Sequence, residues 1–157
     1  MRDQRADRHF NLQVMGSYIR QSIVKQRVST YVRPYWSTSR RTYGGFSDSR
    51  YYLPSAPELE EMLLENPVFP DPGLGEGFDC DDYSFVLKGS FSLYGKEKAL
   101  SASICLGIAW GRFSWRKEYH ACNWVLTDEY TFSWIEPLTH TLHPVTDCKG
   151  GLTLMLV

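Results

Sequence analysis

Two kinds of apolar spacing divide this chain, and their order restricts the folds open to it. Between residues 55 and 94 apolar residues recur at helical intervals. Beyond residue 100 they fall into short runs separated by turn residues. In "SAPELEEMLLEN", Ser55 and Glu58 form an S-x-x-E capping box and Pro57 suits the first turn. Leu59, Met62 and Leu63 fall at i, i+3 and i+4, one apolar stripe. A second helix is predicted over 79–94. Asp79 is its N-cap, Asp81 and Asp82 sit in its first turn, and Tyr83, Val86, Leu87 and Phe91 make its buried side. Gly89 would admit a close neighbour and Gly95 would end the helix. Strands are expected over 101–113, 119–127, 130–137, 139–145 and 151–157, with "TDE" as a hairpin turn. Helices first and an antiparallel sheet after predict an α+β domain.

At 157 residues the chain suits one domain with a sizeable core. Its charge is uneven. Residues 1–50 hold ten Lys/Arg against three Asp/Glu, a balance of +7; residues 51–157 hold seven against fifteen, a balance of −8. The expected organisation is a basic, aromatic and partly irregular arm over 1–50 and a core over 51–157. The arm either lies on the acidic core or docks a protein partner. It has no compact Lys/Arg block, so nucleic acid is not expected. Nor does any apolar run reach membrane-spanning length. The four cysteines form no C-x-x-C pair and no apolar leader opens the sequence, so reduced thiols and a cytoplasmic setting are expected.

One of those cysteines lies in "GFDCDDYSF", where three aspartates surround a thiol at the start of the second predicted helix. Acidic neighbours disfavour a thiolate, whereas a helix N-terminus favours one. Downstream, His120 opens the strand "HACNW" and Glu136 closes "YTFSWIE". Pairing about a turn at 128–129 places His120 opposite residue 137 or so, within about one residue of Glu136, and period-2 alternation allows one shared face. Singly, a buried Cys is ordinary packing, a strand His is structural and a Glu before Pro is solvated. Together, a cysteine on a helix N-terminus, a histidine and a carboxylate are the parts of thiol chemistry: nucleophile, proton carrier and orienting group. A zinc alternative uses Cys80, His120 and Cys122, but lacks an evident fourth ligand.

The blocks "FDCDDYSFVLKG", "HACNWVL" and "WIEP", with the helix "LPSAPELEEMLLENPV" before them, resemble the papain-like domain of the fairy-ring mushroom agglutinin and its relatives. More distantly they are similar to transglutaminase-like cysteine peptidases of bacteria. The likeness spans roughly residues 53 to 140. It implies a papain-like or transglutaminase-like fold and a thiol-dependent hydrolase or acyl transferase acting on a peptide or protein. Cys80 would be the nucleophile, His120 the general base and acid, and Glu136 the orienting carboxylate, with Asn123 and Trp124 as substrate contacts. The loop before Cys80 lacks the glutamine that papain-type enzymes use as oxyanion donor, which leaves a Tyr within 43–52 as a stand-in. The rival reading is a catalytically silent module that docks into a larger assembly. The resemblance also raises calcium at Asp81 and Asp82. Adjacent acids on a helix point apart, however, and first-turn capping accounts for them, so no cofactor is expected.

Overall fold

A computed structural model describes residues 15–36, 42–43, 45–66 and 77–156. The described residues include three α-helices: α1 Gln21–Val32, α2 Ala56–Glu65 and α3 Cys80–Glu97. The strands are β1 Ser17–Arg20, β2 Thr42–Tyr43, β3 Arg50–Leu53, β4 Ser103–Ile104, β5 Leu106–Phe113, β6 His120–Leu126, β7 Phe132–Ile135, β8 Leu142–Pro144 and β9 Cys148–Leu156. They form a three-stranded sheet, β1-β3-β4, and a six-stranded sheet, β2-β9-β5-β6-β7-β8. The pairings β3–β4 and β2–β9 are parallel and the others antiparallel. This is the expected α+β arrangement of helices on a largely antiparallel sheet.

The stretch read as an irregular arm is regular where it is described. Residues 17–32 form β1 and α1, and Val24, Val28 and Val32 are completely buried. Those valines stand at i, i+4 and i+8, a single narrow helical stripe. β-branched residues are modest helix formers. Burying each, at about 1.5 kcal/mol or more, outweighs that local cost. The stripe packs with Trp124, Phe132, Trp134 and Leu152. A second cluster joins Leu59 and Met62 of α2, Leu87 and Phe91 of α3, and Val125 and Ile135 of the sheet. Strand alternation accounts for the division. Trp124 and Leu126 face α1, whereas Val125 faces α2 and α3.

Helix α2 carries the expected capping box. Ser55 Oγ accepts from the Glu58 N–H, and the Glu58 carboxylate accepts from the Ser55 N–H. Glu58 does more than cap. Its oxygens also accept from the Tyr52 hydroxyl (2.6 Å) and the Gly16 N–H (2.8 Å), which ties β1, β3 and α2 together. Helix α3 passes the expected stop at Gly95, which is buried, and ends at Glu97. The next turn is closed by Ala99 in the left-handed region (φ 53°). Gly89 faces open space, so no neighbour approaches it closely. The expected strand 101–113 is broken at Cys105. Its N–H donates to Tyr52 O while its carbonyl accepts from the Leu126 N–H, so the chain passes there from one sheet to the other. The loop before Cys80 falls mostly outside the described residues. Among the described residues, no helix is long and apolar enough to cross a membrane.

Candidate functional site

Helix α3 begins at Cys80, and two carboxylates cap it. Asp79 accepts from the Asp81 N–H (3.3 Å), and Asp82 accepts from the Asp79 N–H (3.1 Å). The carboxyls of Asp79 and Asp81 also share a hydrogen bond, which lowers the pKa of Asp79 and raises that of Asp81. The three acids around Cys80 therefore serve the helix end, as the sequence suggested.

Strand β6 meets that helix end. The Ala121 N–H donates to the Cys80 sulfur at 3.4 Å, and the His120 imidazole lies beside the Cys80 thiol on the wall of one cleft. The β6–β7 ladder pairs Asn123 with Ile135 and Leu126 with Phe132. Extended three residues, that register sets His120 opposite Leu138 and leaves Glu136 two residues away on the same face. His120 Nε2 and Glu136 Oε2 are 2.9 Å apart, and both residues are buried.

Glu136 is the most heavily partnered group of the site. Oε2 accepts from Trp115 Nε1 (3.1 Å) and Arg116 Nε (3.2 Å) as well as from His120, while Oε1 accepts from the Leu138 N–H (3.3 Å). Burial works against its charge, but the hydrogen bonds from His120 and Arg116 hold its pKa down at about 2. Burial also opposes charge on His120. Its hydrogen bonds to Cys80 and Glu136 prevail and raise its pKa to about 9. At neutral pH the imidazole is thus a cation between a sulfur and a carboxylate.

Trp115 and Arg116 were not legible as part of this site, because they lie in the β5–β6 connection, where no periodicity marks a direction. Trp115 is itself braced. It stacks on His143 at 3.8 Å between ring centroids, and His143 pairs with Asp147 at 3.2 Å. The expected substrate contacts lie inside the protein. Asn123 is fully buried and donates from Nδ2 to Ser84 O (2.9 Å) and Gly107 O (3.2 Å), bracing α3 against β5. Trp124 is equally buried and stacks on Phe132. Both residues are structural. The tyrosine stand-in fares likewise: the Tyr51 hydroxyl accepts from the Asp48 N–H, and the Tyr52 hydroxyl donates to Glu58. The side chain of Tyr43 lies outside the described residues.

The zinc set is not assembled. Cys122 is buried in the α1-side core, and burial drives its thiol pKa well up. Among the described residues, Asp79, Cys80 and Asp81 are the only group of three with metal-binding atoms all within 4.8 Å of one another. Asp82, which the resemblance raised with Asp81 as a calcium ligand, is not part of that group. All four cysteines are free.

Around the sulfur lies an open cleft of ≈ 220 Å³, walled by Asp79, Tyr83, Arg116, Glu118, Tyr119 and His120. Tyr119 is 42% exposed, and its hydroxyl hydrogen-bonds that of Thr153.

Residues 51–142 match the family described as Agglutinin C-terminal, more than half of the chain. The chain belongs to the agglutinin C-terminal family. Among curated proteins none matches it. Several solved structures share the agglutinin domain's fold, among them these two. One is described as a PSL1a–E64 complex, 23% identical with a TM-score of 0.72 over 89% of this chain and 51% of that one. The other is a Polyporus squamosus lectin bound to the human-type influenza-binding epitope Neu5Aca2-6Galb1-4GlcNAc, 22% identical with a TM-score of 0.70 over 89% and 49%. The agglutinin domain thus spans about half the length of each solved chain.

These findings correct the expected activity. A thiol protease, hydrolase or acyl transferase with a peptide substrate is overturned by an agglutinin family and a sugar-bound lectin neighbour. The agglutinin domain keeps the expected helix-and-sheet architecture, and the side chains of Cys80, His120 and Glu136 meet within it.

Proposed function

We propose that this agglutinin C-terminal domain is a carbohydrate-recognition module and that the cleft around Cys80 and His120 takes one sugar ring of its ligand. The observation that carries this reading is the mixture of groups on the cleft wall. A half-exposed aromatic ring, Tyr119, stands beside a guanidinium, Arg116, and the carboxylates of Asp79 and Glu118. Sugars present both an apolar C–H face and a fringe of hydroxyls. An aromatic face packs on the first, while carboxylates and guanidinium groups hydrogen-bond the second. The buried His120–Glu136 pair makes the floor rigid, so little ordering is needed on binding.

Calorimetric titration with Neu5Aca2-6Galb1-4GlcNAc and with neutral Galb1-4GlcNAc tests the reading. Tyr119→Ala should weaken the neutral disaccharide about ten-fold through loss of the stacking face. A protein that binds neither sugar, or a Tyr119→Ala variant that binds as tightly as the parent, would remove the glycan role from this cleft.

The order of the trio, with His120 between Glu136 and Cys80, favours a second property of the same site. Cys80, His120 and Glu136 form one unit in which Glu136 orients the imidazole and the charged imidazole faces the sulfur, and this makes Cys80 the chain's reactive thiol. The finer description of the fold as papain-like rests on that same order of helix, strand and strand. Labelling with iodoacetamide, and with the E64 named for the PSL1a structure, should modify Cys80 and leave the three buried cysteines untouched. Cys80 modification as slow as that of a thiol in the unfolded chain would argue against it.

A further inference from the structure

A second, larger cleft of ≈ 550 Å³ opens between β3–β4 and the C-terminal half of α3. It stands about 23 Å along that helix from Cys80, taking fifteen residues at helical rise. Its floor is apolar: Phe91 and Ile104 are buried and Leu100 is half-buried. Ser49, Ser92, Ser101 and Ser103 line its walls, the Ser92 hydroxyl donating to Lys88 O and keeping its lone pairs free to accept. Two cations, Arg50 and Lys96, also line it, and neither is in an ion pair among the described residues.

Arg50 is held in place without being used up. Its guanidinium lies 5.3 Å from the Tyr18 ring centroid and donates one hydrogen bond, to Ser101 Oγ at 3.3 Å. Ser101 is fixed in turn by its N–H, which donates to the Tyr18 hydroxyl at 3.2 Å. A guanidinium carries five N–H donors in a fixed fork, so several remain for a planar anion. The single acid on the wall, Asp48, is partly buried. The carbonyls at the end of α3 would repel an anion, but those of Tyr94, Gly95 and Lys96 accept from the N–H groups of Lys98, Leu100 and Ala99. The balance at the cleft is therefore cationic.

We propose that this cleft is a second ligand site that takes a carboxylate-bearing sugar, with Arg50 and Lys96 on the carboxylate, the serine hydroxyls on the ring hydroxyls, and the Phe91–Ile104 floor under the apolar face. An inorganic anion would satisfy the cations and leave that floor and most of the volume unused. The ligand class rests on the reading of the domain as a glycan-recognition module; the place does not, because it shares no residue with the Tyr119 cleft.

Free N-acetylneuraminic acid, glucuronic acid and inorganic phosphate are titrated by ligand-observed NMR against the parent and the Arg50→Ala, Arg50→Lys and Tyr119→Ala variants, with thermal melts as a folding control. The parent should bind both acidic sugars, more weakly as salt rises. Arg50→Ala should weaken them about ten-fold or more, Arg50→Lys should restore part of that loss, and Tyr119→Ala should leave them unchanged. If the acidic sugars do not bind, or bind Arg50→Ala as tightly as the parent, the site is overturned. Phosphate binding as tight as either sugar would reduce the cleft to an unselective anion patch and overturn the sugar assignment. Loss of acidic-sugar binding in Tyr119→Ala alone would move the ligand to the Cys80 cleft. Retention of neutral Galb1-4GlcNAc binding in Arg50→Ala separates failure here from failure of the proposed function.

Discussion

His120 Nε2 and Glu136 Oε2 meet at 2.9 Å inside the protein, although 16 residues separate them in the chain. The contact comes from a hairpin register that places the two residues diagonally on one sheet face. Each partner moves the other's titration in the direction that keeps both charged.

Stability should therefore depend on pH in a defined way. The pKa of His120 is raised from 6.5 to about 9, so its contribution is complete below 6.5 and disappears as pH climbs through 9. That of Glu136 is lowered from 4.5 to about 2, so its contribution is complete above 4.5 and is lost as pH falls through 2. For this pair, melting temperature should plateau between these windows, near pH 5–6. Glu136→Gln should flatten the alkaline arm and cost about 3 kcal/mol at the plateau, since it leaves His120 buried without its counter-charge. An alkaline arm unchanged in Glu136→Gln would show that another group governs it.

Glu58 should prove more important than a surface cap. It accepts from Tyr52, Ser55 and Gly16 and is nearly buried. Glu58→Ala leaves those donors without their acceptor and should cost about 2 kcal/mol or more in urea unfolding. Glu60→Ala, on the exposed side of the same helix, serves as the control and should change stability by less than about 0.5 kcal/mol. Equal effects would reduce Glu58 to an ordinary helix cap.

Gly16 has no space for a side chain. A Cβ there would overlap Leu53 O, a backbone atom that the β1–β3 pairing holds in place. Gly16→Ala should destabilise by about 1–3 kcal/mol and loosen β1. Hydrogen exchange at the Ile19 and Tyr51 amides reads this directly; unchanged protection would contradict it.

Residues 15–36 should withstand trypsin in the isolated protein even though Arg20, Lys25, Arg27 and Arg33 are exposed. Cleavage requires local unfolding, and here that means pulling Val24, Val28 and Val32 out of the core. Val28→Ala should cost about 2 kcal/mol and speed cleavage. Accumulation of a stable fragment beginning near Tyr51 would show that these residues are an appendage.

Legibility in the sequence followed the range of the forces involved. Caps were readable because Ser55–Glu58 and Asp79–Asp82 act within one helical turn. The His120–Glu136 register was readable because a short hairpin links the two strands. Helix α1 was not, since its stripe is one residue wide and is helical only because the far side of β6 covers it. Asn123 and Trp124 were expected as ligand contacts on the resemblance, but alternation and the helices on both faces of the sheet enclose them.

The sequence by itself determined the α+β order, the boundaries of α2 and α3 within a few residues, and the three residues that come together at the N-terminus of α3. Only the tertiary structure decided that Trp115 and Arg116 support Glu136, that a backbone N–H of β6 faces the Cys80 sulfur, and that Arg50, Lys96 and four serines share a cleft. Those relationships join residues from separate elements. Their distances depend on how sheets and helices pack, which no local periodicity encodes.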